Sequence, residues 1–232
     1  MSVRKHIPNA ITSLNLLCGV IGIILTLGGG KLELAFLFML AAVVFDFCDG
    51  LAARLLGAYS EIGKELDSLA DIVSFGVLPS VMLYEWYGQS VEGFWHNLAW
   101  MPLLLAVFSA LRLAKFNLDE RQHESFIGLP TPACALICGS FCTLHLASVW
   151  IIPPFVLVFC WLLVCEIPMF SLKFGKDIHA DAVTKMKRYA IVSIAAIVVI
   201  VVAVVGLPWQ AIITGVLLAY IMENALCALF KV

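Results

Sequence analysis

Charge is scarce in this 232-residue chain: 13% of residues are Asp, Glu, Lys or Arg, against 62% that are hydrophobic. Scarcity on that scale, with a mean hydropathy of +1.03, excludes a water-soluble globular domain and makes this a membrane protein. Positive charge is not in excess either, since the formal net charge is −2. A nucleic-acid binder concentrates Lys and Arg to neutralise phosphates, so nucleic acid is excluded as a partner. Polar low-complexity tracts, internal repeats and long polar loops are all missing, and residues 1–232 read as one integral-membrane domain. No A-x-A-like cleavage site follows Arg4, Lys5 and His6, so the first apolar run is expected to stay as a helix. The eight cysteines fall within apolar stretches and read as reduced packing residues rather than a disulfide framework. Cys134, Cys138 and Cys142 form a helical stripe, but no His or acidic residue nearby completes a soft-metal site.

What is present is a series of apolar runs, each near the roughly 20 residues that a bilayer core demands. They lie near 10–29, 33–56, 67–88, 96–117, 130–150, 153–172, 188–206 and 209–230, separated by Gly and Pro punctuation. The expected fold is therefore all-α and polytopic, with about eight transmembrane helices. The fifth with the sixth, and the seventh with the eighth, read as tight helical hairpins. Alternating the loops puts thirteen of the fourteen Lys and Arg residues on one side and Lys31 alone on the other. Cytoplasmic loops keep positive charge, so both termini and the basic side are expected in the cytoplasm, with the protein in the cell membrane.

Against this apolar background the second and third runs hold Asp46, Asp49, Asp67 and Asp71. Each ionisable residue in hydrocarbon costs a few kcal/mol, so four together require a reason. Spacings of three and four put each pair on one helical face, and the short connection through Ser60 to Lys64 makes the two helices antiparallel neighbours. Four facing carboxylates repel one another unless they share a cation, and an all-oxygen set suits Mg²⁺ or Mn²⁺ rather than zinc. A helix from Leu32 to Leu56 is about 37 Å long, so its acidic end reaches the interface where lipid phosphates sit. Gly50 leaves the backbone open beside Asp49, and Arg54 offers a planar fork for phosphate oxygens. Pairing of these aspartates with Arg54, Lys64 or helix N-termini alone is the plainer account, and it strains to explain four at such spacings. Glu166, Glu223 and His145, each alone in its stretch, read as ordinary packing residues. Arg112 and Lys115 lie on one face of the fourth helix at its cytoplasmic end. They are either lipid anchors or a fixed cation site for a bound carboxylate, with Arg112 the deeper of the two.

Taken with its intervals, Asp46 to Asp71 is D-x2-D-G-x2-A-R-x8-G-x3-D-x3-D, through Gly50, Ala53, Arg54 and Gly63. This resembles the CDP-alcohol phosphatidyltransferase family, and eight fixed residues across 26 positions make the pattern specific. Further segments are similar to a branch of that family whose acceptor alcohol is serine: I-P-N-A-I-T-S-L-N-L-L-C-G from Ile7, S-F-G-V from Ser74, L-R-L-A-K-F-N from Leu111 and G-L-P-T-P-A from Gly128. The resemblance implies the helical fold of that family and transfer of a phosphatidyl group from CDP-diacylglycerol to an alcohol, here L-serine, with release of CMP. It also implies two divalent ions held by Asp46, Asp49, Asp67 and Asp71, with Asp71 as proton acceptor, and a homodimer in the bilayer. Gly50 and Arg54 would then contact the nucleotide diphosphate, with Ser60, Gly63, Asn9 and Thr12 nearby. The rivals are the same transfer to glycerol 3-phosphate, an inositol phosphate or choline, and an ion or metal transporter, since intramembrane carboxylates also mark ion paths.

Overall fold

The computed structural model describes residues 6–118, 126–144, 148–169 and 182–230. A hydrocarbon solvent leaves backbone N–H and C=O groups no water to bond, and the apolar runs answer by closing their hydrogen bonds internally as helices. Four helices, α1 (His6–Leu27), α2 (Leu32–Leu56), α3 (Glu61–Ser90) and α4 (Gly93–Leu118), are each long and apolar enough to cross a bilayer. Then come α5 (Thr131–Leu144) and α6 (Val149–Val164), followed by α7 (Ala182–Val205) and α8 (Gln210–Phe230). The protein is thus a multi-pass, all-helical membrane protein, as its composition predicts. Its one strand pairing among the described residues is a two-residue antiparallel match, Phe126 with Met169 and Ile127 with Pro168.

The α2–α3 connection shows how local chemistry sets the site. Gly57, at φ 58°, ends α2, and the N–H groups of Gly57 and Ala58 return to the carbonyls of Arg54 and Ala53. That left-handed cap suits glycine, which has no Cβ to clash. Three residues later Ser60 caps α3, its Oγ accepting from Gly63 N at 3.0 Å, a contact worth about 1 kcal/mol. Two helix ends therefore meet within four residues, and their carboxylates face each other. Immediately after Asp71 the chain winds as a π-helix over Ile72–Val77. Such a widened turn re-aims the side chains on either side of it and recurs at functional sites.

Close helix contacts depend on missing side chains. A Cβ on Gly19 of α1 would stand 2.5 Å from Ser74 Oγ and 2.9 Å from Ser74 Cα on α3. On Gly76 it would stand 3.1 Å from Ser109 Cβ on α4, and on Gly139 of α5 it would meet Phe36 of α2 at 2.6 Å. Small residues at these crossings let van der Waals packing hold helices together where water supplies no hydrophobic drive. The fully buried Phe36, Met39, Phe75, Leu78, Met82 and Leu83 lie between them.

The outer surface is inverted relative to a soluble protein. Leu55, Ile62, Leu69 and Val204 are all exposed, which suits hydrocarbon neighbours. Trp95, Trp100, Trp150 and Trp209 are exposed as well and stand at the α3–α4, α5–α6 and α7–α8 turns, where Trp95 meets Trp150 edge-on at 5.5 Å. Those turns share one end of the bundle, an aromatic belt of the kind that sits at a headgroup layer. The α2–α3 turn, and with it the acidic site, lies at the other end.

The structure corrects several boundaries. α3 begins at Glu61 rather than near 67, because Ser60 caps it there, and Lys64 belongs to the helix rather than to the connection. α6 stops at Val164, eight residues before the expected 172. Pro168 lacks an N–H and disfavours helix in the residue before it, so the chain instead pairs with residues 126–127. Glu166 consequently lies outside the helix, exposed, and not within a span. α5 ends at Leu144 rather than near 150, and α7 starts at Ala182 rather than near 188. His145 lies outside the described residues. The fifth and sixth helices do not form a tight hairpin either: α6 packs chiefly on α4, and α5 on α3 and α8, while α7 and α8 do pack together. The seven described cysteines form no disulfide.

Candidate active site

Oxygen atoms of Asp46, Asp49 and Asp67 lie within 4.8 Å of one another. The first two come from the last turns of α2 and the third from the second turn of α3, brought together by the Gly57–Ser60 turn. No Lys or Arg is among the charged groups acting on these three carboxylates among the described residues, so ion pairing does not account for them. Two of their oxygens, Asp49 Oδ2 and Asp67 Oδ1, are buried with no hydrogen-bond partner. Buried charge without a partner is expensive, and an oxygen-coordinated divalent cation is what these atoms fit. The donor set can hold a metal.

Asp71 stands apart from that trio. It adjoins Asp46 across the α2–α3 interface and accepts a hydrogen bond from Asn15 Nδ2 on α1 at 3.2 Å. Asn15 is tied in turn by its carbonyl, which accepts from Ser74 Oγ at 3.0 Å. Ser74 sits in the π-helical turn just after Asp71, so the turn both re-aims Asp71 and locks the residue that holds it. At only 9% exposure, Asp71 is largely shut off from solvent on this side.

Beside the trio opens a cleft walled by the starts of α1 and α3 and the end of α2. Asn9, Thr12, Gly50, Ser60 and Gly63 all line it together with Asp49 and Asp67, so five of the residues expected to bind nucleotide share one cavity with two of the metal-site carboxylates. They do different things there. The Thr12 hydroxyl lies within hydrogen-bonding reach of Asp49 and donates to Pro8 O at 3.0 Å. Gly50 faces open space, with no atom within 4 Å of where its Cβ would be. Gly63 is a packing glycine, since its Cβ would come within 2.9 Å of both Asn9 Oδ1 and Ser60 Oγ.

Arg54 does not line the cleft. It is exposed, and its Nε donates to Gly50 O of its own helix at 3.0 Å. Arg112 and Lys115 part company: Arg112 is 7% exposed, whereas Lys115 is exposed. Arg112 donates from Nη1 to Thr131 Oγ1 at 3.3 Å, lies over the Phe116 ring at 4.9 Å, and is near enough to Asp71 for the two charges to interact. Below it Asn117 Nδ2 donates to Ser68 Oγ at 2.8 Å, fastening α4 to α3.

The residues 5–165 match the model of the CDP-alcohol phosphatidyltransferase family, more than half the chain and all of the site just described. The chain belongs to that family. It is 38% identical over 146 residues to CDP-diacylglycerol–serine O-phosphatidyltransferase of Methanocaldococcus jannaschii, a stretch covering 62% of this chain and 64% of that relative. It is 40% identical over 132 residues to the enzyme of the same name from Bacillus subtilis, covering 55% and 70%. The one from Mycobacterium bovis is 35% identical over 206 residues, covering 82% and 68%. The chain thus spans about two thirds of these relatives, slightly less for the first. Its family region ends at residue 165, one residue past the end of α6.

Asn15, Ser74 and Thr131 are the site residues that spacing alone passes over. A signal for the first exists: Thr12, Asn15, Gly19, Gly22 and Thr26 recur at helical intervals and are all buried in α1, the polar and small stripe of an otherwise apolar helix.

Proposed function

We propose that this chain transfers the phosphatidyl group of CDP-diacylglycerol to L-serine, yielding phosphatidylserine and CMP, at the cytoplasmic face of the cell membrane. The observation that carries the reading is the carboxylate trio with its unpartnered inner oxygens, opening on a cleft built from the family's own motif residues. Asp46, Asp49 and Asp67 would hold divalent cations, Mg²⁺ or Mn²⁺ and two in number, with Asp71 at the edge of the set. Bound there, the cations neutralise the diphosphate and the charge that develops on departing CMP.

The chain's own residues do the rest. Gly50 lets the diphosphate approach the α2 backbone, and Arg54, whose Nη groups make no hydrogen bond among the described residues, meets its outer oxygens. Asn9, Thr12 and Ser60 line the nucleotide side of the cleft. Asp71, held by Asn15, accepts the serine hydroxyl proton as that oxygen attacks the phosphorus bearing diacylglycerol. The bond from that phosphorus to the CMP oxygen breaks, and its electron pair leaves with CMP. Arg112, buried beside Asp71, takes the serine carboxylate, whereas exposed Lys115 serves as a lipid-phosphate anchor. Family resemblance adds a homodimer, which crosslinking in native membranes tests.

The decisive assay supplies purified protein with CDP-diacylglycerol, Mg²⁺ or Mn²⁺, and in turn L-serine, glycerol 3-phosphate, an inositol phosphate and choline, scoring CMP and lipid product. Serine-dependent CMP release is expected. Release only with another alcohol would reassign the acceptor, and metal flux across proteoliposomes without CMP release would point to transport. A substitution sharpens the cleft assignment: Gly50→Ala should gain about 0.5–1 kcal/mol of helix stability, because no neighbour resists the methyl. Its Michaelis constant for CDP-diacylglycerol should nonetheless rise severalfold, and an unchanged constant would remove the diphosphate from Gly50.

Orientation has its own check. In a cysteine-free background, thiols placed at exposed Glu61 and Glu92, on opposite ends of α3 and its turn, should label only from the cytoplasmic and only from the outer side respectively. Labelling of Glu61 from outside would reverse the assignment.

A further inference from the structure

Two buried polar atoms next to Asp71 have no partner among the described residues. Asn15 is fully buried, commits its Nδ2 to Asp71 and leaves its Oδ1 unsatisfied. Arg112 gives Nη1 to Thr131 and its face to Phe116, and leaves Nε unsatisfied. The amide orientation is not arbitrary: Asp71 accepts, so the nitrogen of Asn15 turns toward it and the oxygen turns away. Holding Asp71 uses only one half of the amide. Native proteins seldom leave such atoms unanswered, because each forfeits its hydration for nothing. What is left over near the proton-accepting carboxylate is one neutral acceptor on α1 and one cationic donor on α4. Those are the complements of an ammonium and a carboxylate.

We propose that Asn15 Oδ1 receives the α-ammonium of the acceptor amino acid while Arg112 receives its carboxylate, so that the two residues select a hydroxylated zwitterion over a plain alcohol or a hydroxy acid. This rests on the serine reading above and adds to it the residue that recognises the amine. Along α1, Thr12 then serves the metal-site carboxylates and Asn15, one turn deeper, serves the acceptor.

The test compares acceptors that differ by one charged group, using the full chain in nanodiscs. L-Serine carries both charges, 3-hydroxypropionate lacks the ammonium, and ethanolamine lacks the carboxylate. In Asn15→Leu the preference for L-serine over 3-hydroxypropionate, as a ratio of kcat/KM, should fall about 10- to 100-fold. Loss of support for Asp71 slows both acceptors alike and cancels in that ratio. L-Alanine, a zwitterion with no hydroxyl to deprotonate, should inhibit competitively, and its inhibition constant should rise by a similar factor in Asn15→Leu. Asn15→Asp keeps the acceptor oxygen but loses the donor, so it should restore alanine binding without restoring kcat. In Arg112→Gln the preference for L-serine over ethanolamine should collapse instead. CDP-diacylglycerol binding, unchanged in all three variants, reports that the fold is intact. A lower kcat with unchanged acceptor ratio and unchanged alanine inhibition would reduce Asn15 to a positioning residue for Asp71 and overturn the proposal. Wild-type protein that ignores serine but uses another alcohol would instead defeat the serine reading itself.

Discussion

Asp49→Asn should insert and fold like the unsubstituted protein yet release CMP about 1,000-fold more slowly at saturating substrate. The side chain keeps its shape and one oxygen, so packing at a position only 5% exposed is undisturbed. What is lost is the charge of a carboxylate that has one buried oxygen, Oδ2, without a partner among the described residues and one oxygen within 4.8 Å of carboxylates on both α2 and α3. Asp46 and Asp67 alone would then hold the cation that would neutralise the diphosphate. The variant should also need more Mg²⁺ or Mn²⁺ for half-maximal activity, which a metal titration reads directly. Removing a like charge relieves repulsion within the trio, so a thermal scan without metal should show it no less stable than the unsubstituted chain. Near-normal turnover in a folded Asp49→Asn protein would end the shared-metal account.

The second large effect comes from a single methyl at an uncharged helix crossing. Gly19→Ala ought to improve α1 on propensity alone, by about 0.5–1 kcal/mol. Tertiary contact reverses the sign: the added carbon would lie 2.5 Å from Ser74 Oγ and 2.9 Å from Ser74 Cα, and backbone cannot step aside as a side-chain tip can. Overpacking of that kind costs about 1–3 kcal/mol, so the net change is destabilising. More telling is where the strain falls. Ser74 is the donor to Asn15 O, and Asn15 is the donor to Asp71, so pushing α1 from α3 shifts Asp71, the proposed proton acceptor. A displacement near 1 Å at a reacting group costs on the order of 100-fold in rate, and CMP release should drop accordingly. Gly19→Ala with full activity would mean that α1 and α3 can part without moving Asp71.

Much of this was legible along the chain, because it depends on neighbours in sequence. Apolar run lengths determined the membrane class and the helix count. Helical spacing put Asp46 with Asp49 and Asp67 with Asp71, and Gly57 and Ser60 are local caps whose chemistry needs no distant partner. The acidic motif therefore marks a candidate metal site along the chain, and the structure brings Asp46, Asp49 and Asp67 together. Hydropathy was a poorer guide to where α6 ends, since the mostly apolar residues 165–172 satisfy a window average while Pro168 and pairing with residues 126–127 take the backbone out of the helix.

Only the tertiary structure decided which members of each helical face meet. Arg112 and Lys115, three apart, straddle the edge of the bundle, so one is buried against Asp71 and the other faces outward, although their spacing is that of neighbours. Asp71 lies outside the closest trio of carboxylates yet adjoins Asp46, and Asn15, 56 residues earlier, hydrogen-bonds it. That partnership depends on the register of α1 against α3, which is set by the close approach of Gly19 to Ser74. Sequence spacing carries the period of each helix; the angle and depth at which two helices cross are fixed by side chains, or missing ones, that lie on different helices.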